Sequence, residues 1–225
     1  MLITATDIVK AYRGDAGQAP ALRGASVAIA EGEFACIVGR SGSGKSTLLA
    51  ILSTLLRPDS GTILYRNQEL TRFPERELNR LRGTEFGMVF QMHHLLPYLT
   101  AEENVLLPFM KGFAGITAQQ RDRARAVLAQ VGLVGKEQRL PGQLSGGEQQ
   151  RVAIARAVAA SPRVLFADEP TGSLDKTTGR DIMALLQAIN AGGITVVMVT
   201  HDPEYADMAS RRITLDDGLV VAQEA

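Results

Sequence analysis

The segment "EFACIVGRSGSGKSTLLAILSTLL" (residues 33–56) decides the fold, because it joins a buried strand, a glycine-rich turn and a helix in one run. Residues 33–39 are a short apolar stretch that enters the turn, which predicts a buried strand. Residues 45–56 place Leu48, Leu52 and Leu55 on one side, which predicts a helix across this range. Strand, turn and helix in this order favour an α/β fold.

The turn "GRSGSGKST" (39–47) has the residues that a phosphate-binding loop needs. Gly42 and Gly44 let the backbone curl around an anion with its N–H groups pointing inward, and the helix N-terminus adds free donors. Lys45 can reach the β- and γ-phosphates of a nucleotide, and the Ser46 hydroxyl can bind Mg²⁺. A glycine-rich turn without a ligand is the weaker interpretation, because a strand precedes it and a helix follows. The predicted nucleotide-binding residues are Gly39, Arg40, Ser41, Gly42, Ser43, Gly44, Lys45, Ser46 and Thr47.

Further apolar runs of strand length extend this pattern along the chain. Core strands are predicted in "EFGMVFQ" (85–91), "RVLFADEP" (163–170) and "ITVVMVTHD" (194–202), and strands of an accessory sheet in "LITATDIVKAY" (2–12) and "GTILYRNQEL" (61–70). Alternation of strands with helices predicts a mostly parallel core sheet that binds its ligand at the carboxyl ends of the strands. Residues 100–160 have helical spacing throughout and are predicted to form an inserted subdomain.

Two acidic residues end the run 163–170. Asp168 is predicted to hold a metal ion, and Glu169 to orient the attacking water beside the γ-phosphate as a general base. A solvated acidic turn is the alternative, and the phosphate-binding loop makes it the weaker one.

The stretch "LSGGEQQRVAIARA" (144–157) predicts a second phosphate-binding site. Ser145 and Glu148 form a capping box, worth about 1 kcal/mol to a helix start. The box does not explain Gly146 and Gly147, since glycine costs up to about 1 kcal/mol relative to alanine inside a helix. Two glycines in the first turn are expected where a ligand approaches the backbone closely.

These motifs together resemble those of ABC-type ATPases, a branch of the P-loop NTPases. The resemblance covers nearly the whole chain, with "GRSGSGKST" as Walker A, "VLFADEP" as Walker B and "LSGGEQQRVAIARA" as the signature. It also places Gln91 in the Q-loop, Asp175 in the D-loop, His201 in the H-loop, and Tyr12 where an aromatic ring stacks on adenine.

The resemblance implies a single ABC ATPase domain over 1–225. Within it, 1–91 and 161–225 form the nucleotide-binding α/β core with an antiparallel β-subdomain, and 92–160 form a helical subdomain carrying the signature. It implies ATP and Mg²⁺ as cofactors. Ser46, Gln91 and Asp168 would hold the metal, while Lys45, Glu169 and His201 would serve catalysis. Two subunits would enclose ATP head to tail, so that Ser145, Gly146, Gly147 and Asp175 of one act on the nucleotide of the other.

A narrower resemblance points to the lipoprotein-releasing and macrolide-export branch, with the division-associated type nearby. It rests on "FQMHHLLPYLTAEENVLLP" (90–108) and "DEPTGSLD" (168–175). That branch usually has asparagine at the position of Ser173 and more glycine in the segment that here reads "ILSTLLRPDSG" (51–61). The branch implies a homodimeric ATPase subunit bound peripherally to the cytoplasmic side of the bacterial inner membrane. The alternative is the ATPase of a non-transport complex that regulates a cell-wall hydrolase or a sensor.

Composition constrains the partners. Lys plus Arg and Asp plus Glu both number 24, which disfavours a general nucleic-acid binder, so no nucleic acid is expected. No apolar run approaches the roughly 20 residues of a membrane helix, so any link to a membrane would go through a partner. The resemblance implies that this partner is a pair of transmembrane permease subunits, docking near Gln91–Tyr98. The apolar stretch "MHHLLPYL" (92–99) is either this docking site or a loop buried under the helices. Cys36 lies within the first core strand and is expected in the core.

Overall fold

The computed structural model describes residues 1–14, 17–110 and 115–224. The strands are, in chain order, β1 (Ile3–Gly14), β2 (Gly17–Ile29), β3 (Phe34–Val38), β4 (Ser60–Tyr65), β5 (Gln68–Glu69), β6 (Phe86–Phe90), β7 (Val164–Asp168), β8 (Thr195–Val199), β9 (Arg211–Asp216) and β10 (Leu219–Glu224). The α-helices are α1 (Lys45–Leu52), α2 (Glu75–Thr84), α3 (Ala101–Leu106), α4 (Ala118–Gln130), α5 (Gly146–Ala159), α6 (Lys176–Ala191) and α7 (Pro203–Ala206). Short 3₁₀ turns cover Leu70–Arg72, Leu107–Phe109 and Pro141–Gln143.

The strands form two sheets. The core sheet has the order β10-β9-β3-β8-β7-β6, and all its pairs are parallel except β9 with β10. The second sheet has the order β2-β1-β4-β5 and is antiparallel throughout. The predicted α/β fold, with a mostly parallel core sheet and an accessory antiparallel sheet, is confirmed.

The core sheet is buried on both faces, which explains why its strands read as continuous apolar runs. In β3, Ala35 and Ile37 face α1 and the antiparallel sheet, whereas Phe34 and Cys36 face α5 and α6. Cys36 is therefore a core residue, as expected, and burial raises the pKa of its thiol to about 12. Because the helical and antiparallel layers cover opposite faces, the edge at the carboxyl ends of the strands stays open for a ligand.

The first helix is shorter than the sequence predicted. It ends at Leu52 rather than continuing to 56. Thr54 adopts a left-handed backbone with φ of 62°, and its N–H donates to the carbonyl of Ile51 at 3.0 Å, which closes the helix end. The predicted apolar side of this helix therefore loses Leu55, whose side chain is 47% exposed, while Leu48 and Leu52 are buried.

The helical region contains three helices that begin with reciprocal caps. Thr100 caps α3, Thr117 caps α4 and Ser145 caps α5, and each pairs with a Glu or Gln three residues later. Helix α5 packs on α3 and α4 and also on β6 of the core sheet. Its approach to β6 requires Gly87, where a Cβ atom would lie 2.5 Å from the carbonyl oxygen of Ala157. Because α5 belongs to both layers, the division at 92–160 stays a prediction.

Across the described ranges, none of the helices combines the length and the apolar character needed to traverse a bilayer.

Candidate nucleotide site

The loop between β3 and α1 has the backbone that the phosphate motif predicted. Gly42 and Gly44 have left-handed φ angles of 79° and 100°. A Cβ atom at Gly39 would overlap the carbonyl oxygen of Leu215, and one at Gly44 would overlap that of Ala21, so both positions need glycine. Helix α1 begins without a side-chain cap, unlike α3, α4 and α5. Its first turn is therefore free to donate N–H groups to an anion.

Two polar side chains of the loop are turned inward. Lys45 is buried, and its Nζ donates to the carbonyl oxygens of Gly39 and Arg40 at 3.0 and 2.8 Å. The Ser43 hydroxyl is also buried, and it is the one buried side-chain polar atom in the described residues that has no hydrogen-bond partner. An orphaned hydroxyl costs about 1–3 kcal/mol, so this loop suits a ligand with oxygen atoms. The residues present therefore fit the phosphates of a nucleotide.

Ser46 and Asp168 meet although they are far apart in the sequence. The Ser46 hydroxyl, in the first turn of α1, donates to Oδ1 of Asp168 at the end of β7, at 2.9 Å. Burial raises the pKa of Asp168 above the usual value of an aspartate, while the Ser46 hydrogen bond opposes this shift. A hydroxyl and a carboxylate held together at the phosphate loop are ligands that Mg²⁺ accepts.

Glu169 and His201 form a pair at the ends of two adjacent strands. Asp168 of β7 lies opposite Val199 of β8, so the segments that follow the two strands, which contain Glu169 and His201, lie side by side. Both carboxylate oxygens of Glu169 lie 2.9 Å from Nδ1 of His201. Glu169 has a left-handed φ of 48°, a conformation that costs about 1–3 kcal/mol in a non-glycine residue and concentrates at functional sites. The carboxylate is thus held in a fixed direction beside Asp168.

Gln91 and Tyr12 lie near the site without joining its polar contacts directly. The Gln91 amide packs against Gly172, where a Cβ atom would lie 2.8 Å from Nε2, and the Gln91 carbonyl accepts from Ser173 at 3.3 Å. Among the described residues it makes no hydrogen bond to Ser46 or Asp168, so its metal contact stays a prediction. The Tyr12 ring is half-exposed, and its hydroxyl lies 3.4 Å from Oγ1 of Thr47. Adenine stacking on Tyr12 likewise stays a prediction.

The two glycines of the signature have different surroundings. Gly146 is exposed, and a Cβ atom there would lie at an ordinary 3.5 Å from Leu174 Cδ2. Gly147 is buried against α6, and a Cβ atom there would overlap Cγ2 of Thr178. The structure thus gives Gly147 a packing reason that the sequence did not predict, whereas Gly146 remains open to a ligand.

Asp175 has a local partner as well. Its Oδ1 accepts from the N–H groups of Thr177 and Thr178 at 3.0 Å, and its Oδ2 accepts from the Thr178 hydroxyl at 2.6 Å. The Thr178 hydroxyl is the main cause that holds the pKa of Asp175 below its usual value. Asp175 therefore caps α6 within its own subunit, and its action across a dimer stays a prediction.

The stretch 92–99, called the docking loop below, is exposed for the most part. Met92, Leu96 and Tyr98 project into solvent, with Tyr98 91% exposed, whereas Leu95 packs against the core. Burial under the helices, one of the two interpretations of this stretch, is therefore wrong for these three side chains, and Leu95 is partly buried.

Three buried or half-buried polar residues that support this loop were missed by the sequence interpretation. They are Asn104 on α3 and Gln150 and Arg156 on α5. The only signal in the sequence was a polar residue on an otherwise apolar helix face, which does not reveal its partner.

Comparison with known proteins identifies the group to which this site belongs. The chain matches the ABC transporter family over residues 22–172. The lipoprotein-releasing system ATP-binding protein LolD of Aquifex aeolicus is 44% identical, over 99% of this chain and 97% of LolD. The macrolide export ATP-binding/permease protein MacB of Chromobacterium violaceum is 47% identical, over 89% of this chain but only 31% of MacB.

A solved structure has the same fold. It is a dimeric ATP-binding cassette in a post-hydrolysis state, bound to ADP and phosphate. It superposes with a TM-score of 0.90 at 41% identity, covering 99% of this chain and 97% of that one. The chain therefore belongs to the ABC transporter family, as an ATPase of the branch that contains LolD and MacB.

Proposed function

We propose that this chain is the ATP-hydrolysing subunit of a lipoprotein-releasing complex. In this proposal it works as a homodimer on the cytoplasmic side of a bacterial inner membrane and moves transmembrane partners that carry no ATPase site. Similarity to LolD along nearly the full length of both chains supports lipoprotein release. The observation that carries the coupling to membrane partners is the docking loop, which directly follows Gln91 and exposes Met92, Leu96 and Tyr98. Exposed apolar side chains grouped in one segment mark sites of protein–protein interaction, so the docking loop would suit a membrane partner.

Residues of the phosphate loop would bind ATP. Lys45 would exchange the carbonyl oxygens of Gly39 and Arg40 for phosphate oxygens, and the uncapped start of α1 would supply N–H donors. Ser46 and Asp168 would hold Mg²⁺, with Gln91 completing the set. The ion would neutralise charge on the phosphates. Tyr12 would stack on adenine.

Glu169 would act as the general base. Its carboxylate is fixed by His201 and by the strained backbone, so it does not need to be ordered when the attacking water arrives. Glu169 would take the proton of that water, and His201 would hold the carboxylate and contact the γ-phosphate. A positioned base contributes about 10²–10⁴-fold to a rate.

The site is completed by a second subunit in this proposal. The dimeric state of the solved cassette supports a homodimer. The exposed Ser145 and Gly146 at the start of α5 would contact the nucleotide held by the partner subunit, together with Gly147 backbone and Asp175. Closure around ATP and reopening after hydrolysis would then move the docking loop and the membrane subunits attached to it.

Membrane attachment through the docking loop can be tested with a matched pair of variants. Tyr98→Glu places a charge on the docking loop, whereas Val221→Glu places the same charge on an exposed apolar residue of β10, 60% exposed, outside the docking loop. Both proteins are tagged and purified from detergent-solubilised membranes of the host. We expect the wild type and Val221→Glu to retain the same membrane protein and Tyr98→Glu to lose it. Equal retention by all three would refute the docking surface.

Efflux is a second candidate, favoured by the similarity to MacB. The two functions differ in cargo, so the copurified complex is reconstituted into liposomes that contain either a triacylated lipoprotein or a macrolide. ATP-dependent transfer of the lipoprotein to a soluble acceptor supports lipoprotein release. Movement of the macrolide without lipoprotein transfer would replace the proposal with efflux.

A further inference from the structure

Gln150 on α5 is a fully buried side chain that reaches three separate segments. Its Nε2 donates to the carbonyl oxygen of Pro170 at 2.7 Å and lies 3.5 Å from that of Phe90. Its Oε1 lies 2.5 Å from Nδ1 of His93. A buried polar group with all its atoms engaged holds the segments it joins in one arrangement.

Each of these contacts adjoins a residue of the proposed function. Pro170 follows Glu169, the proposed base, and Phe90 precedes Gln91. His93 belongs to the docking loop. Gln150 thus connects the carboxyl end of β7 with the surface that would hold a membrane partner.

The hydrogen bonds determine how the amide and the imidazole are oriented. A carbonyl oxygen only accepts, so the Gln150 atom facing Pro170 must be the NH₂ group. Its oxygen therefore faces His93, and Nδ1 of His93 must carry the hydrogen. The link between the docking loop and Pro170 is a directed chain, from His93 N–H to Gln150 and from Gln150 N–H to the Pro170 carbonyl.

The docking-loop end of this chain is strained and held in place. His93 and His94 have successive left-handed φ angles of 59° and 48°, which non-glycine residues rarely adopt. Arg156, which follows Gln150 further along α5, donates to the carbonyl oxygens of His93 and His94 at 2.8 and 2.6 Å. Helix α5 therefore fixes both the side chain and the backbone of this turn.

The far end of the docking loop is fixed as well. The fully buried Asn104 accepts from the Leu96 N–H at 2.8 Å and donates to the carbonyl oxygens of Leu96 and Leu99 at 3.2 and 2.9 Å. A loop held at both ends transmits a displacement of its exposed face to the strained turn instead of absorbing it.

We propose that Gln150 is a positioning residue through which the docking loop and the catalytic end of β7 control each other. Glu169 and His93 are both held in left-handed conformations. Gln150 connects the carbonyl group of Pro170, which follows Glu169, to the side chain of His93. A shift of the docking loop changes the Gln150 hydrogen bonds and thereby the direction of the Glu169 carboxylate. The membrane-coupling part of this inference rests on the proposed function, but the link itself is present in the chain alone.

The link is tested in the full chain with a fluorophore on the docking loop. Tyr98→Cys supplies the attachment point, and the buried Cys36 stays unlabelled. The fluorescence change on addition of a non-hydrolysable ATP analogue with Mg²⁺ reports transmission to the loop. The kcat and KM for ATP are measured on the same backgrounds without label.

Gln150→Met keeps the volume of the side chain and removes its hydrogen bonds. We expect kcat to fall about tenfold or more with KM for ATP within about threefold, because a misplaced base costs rate and not ground-state binding. The fluorescence response should fall at least about fivefold. A folded Gln150→Met protein with the kcat and the fluorescence response of the wild type would overturn the proposal, as would a wild type whose loop does not respond.

Two substitutions at His93 test the link even if Gln150→Met does not fold. His93→Gly accepts the left-handed φ and removes the imidazole, so the fluorescence response should be lost; because glycine also frees the backbone, the asparagine variant is its control. His93→Asn also accepts that φ and places an amide N–H where Nδ1 was, so the response should return. A response retained in the glycine variant, or not restored by asparagine, overturns the link. A wild type that lacks ATP turnover counts against the proposed function. If the wild type turns over ATP normally and the variants keep its fluorescence response, the result counts against the role of Gln150 alone.

Discussion

Replacement of Gly147 by alanine tests why the signature needs its second glycine. A Cβ atom at Gly147 would overlap Cγ2 of Thr178, whereas Cβ and Oγ1 of Thr178 lie at an ordinary 3.8 and 4.0 Å. Only the Thr178 methyl group is in the way. It cannot rotate aside freely, because Thr178 Oγ1 donates to Asp175 at 2.6 Å and a new rotamer would break that bond.

The expected cost follows from two opposing effects. Overpacking a well-packed contact costs about 1–3 kcal/mol, and alanine regains up to about 1 kcal/mol over glycine in a helix. The two effects leave a net cost of about 0–3 kcal/mol. The added Cβ atom would overlap Thr178 Cγ2, so Gly147→Ala should fall in the upper part of this range, at about 1–3 kcal/mol, which for a chain of this size lowers Tm by about 2–12 °C. The change is read from thermal unfolding followed by circular dichroism.

Thr178→Ser supplies the decisive control. It deletes the obstructing methyl group and keeps the hydroxyl that bonds Asp175. In the Thr178→Ser background, Gly147→Ala should become neutral or stabilising, so the double variant is at least as stable as Thr178→Ser alone. A Gly147→Ala protein as stable as the wild type, or an equal loss in both backgrounds, would refute the packing explanation.

Gly146→Ala is the matched variant on the exposed side of the same turn. Its Cβ atom has room, so Tm should not fall. If this position faces the partner's nucleotide, ATP-dependent dimerisation measured by light scattering should weaken nonetheless. Unchanged dimerisation would argue against a ligand at Gly146.

Three further outcomes are expected. Glu169→Gln should bind MgATP but turn it over about 10²–10⁴-fold more slowly and accumulate as a dimer in light scattering, and wild-type turnover would remove Glu169 from catalysis. A heterodimer with Lys45→Ala on one protomer and Ser145→Arg on the other should trap ADP with vanadate at one site. A dimer with both changes on one protomer should trap none. Trapping in the second dimer but not in the first would show that the signature acts within its own subunit. Burial raises the pKa of Cys36 to about 12. A thiol reagent at a pH of about 8, near the usual thiol pKa, should therefore leave the native chain unmodified and react with Cys36 in denaturant. Rapid labelling of the native chain would contradict the burial.

The sequence predicted the parts of the fold whose signals are local. Core strands such as β3 and β7 were recognisable because both faces of the sheet are buried, so their residues are apolar without interruption. Helix α2 was missed because only Leu78 and Leu81 are buried in it, too few for a recognisable period. The early end of α1 was missed because the residue with the left-handed conformation after it is Thr54, whereas a helix end of this kind usually carries a glycine that can be recognised in the sequence.

The site was predictable to the extent that single motifs carry it. The phosphate loop needs its residues at fixed short spacing, and Asp168 and Glu169 follow an apolar strand directly. The Ser46–Asp168 and Glu169–His201 pairs depend on which strands are neighbours, and a motif order does not give their distances. Gln150 hydrogen-bonds to His93, 57 residues away, and to Pro170, 20 residues away. Contacts between residues so far apart in the chain produce no recognisable sequence pattern.

The first turn of α5 explains why one motif can serve two purposes. Residues three or four apart lie on the same helix face, so Gly147 and Gln150 share the buried face, while Gly146 and Ser145 stay exposed. The buried face sets the distance to α6 through Gly147 and the link from the docking loop to β7 through Gln150. The exposed end is left to bind a ligand. Both faces belong to the start of one helix, and Gln150 lies five residues after Ser145, so under the proposed function a nucleotide that pulls on Ser145 and Gly146 would also act on Gln150. The second phosphate-binding site would then sense ATP and report it to the docking loop through the start of α5.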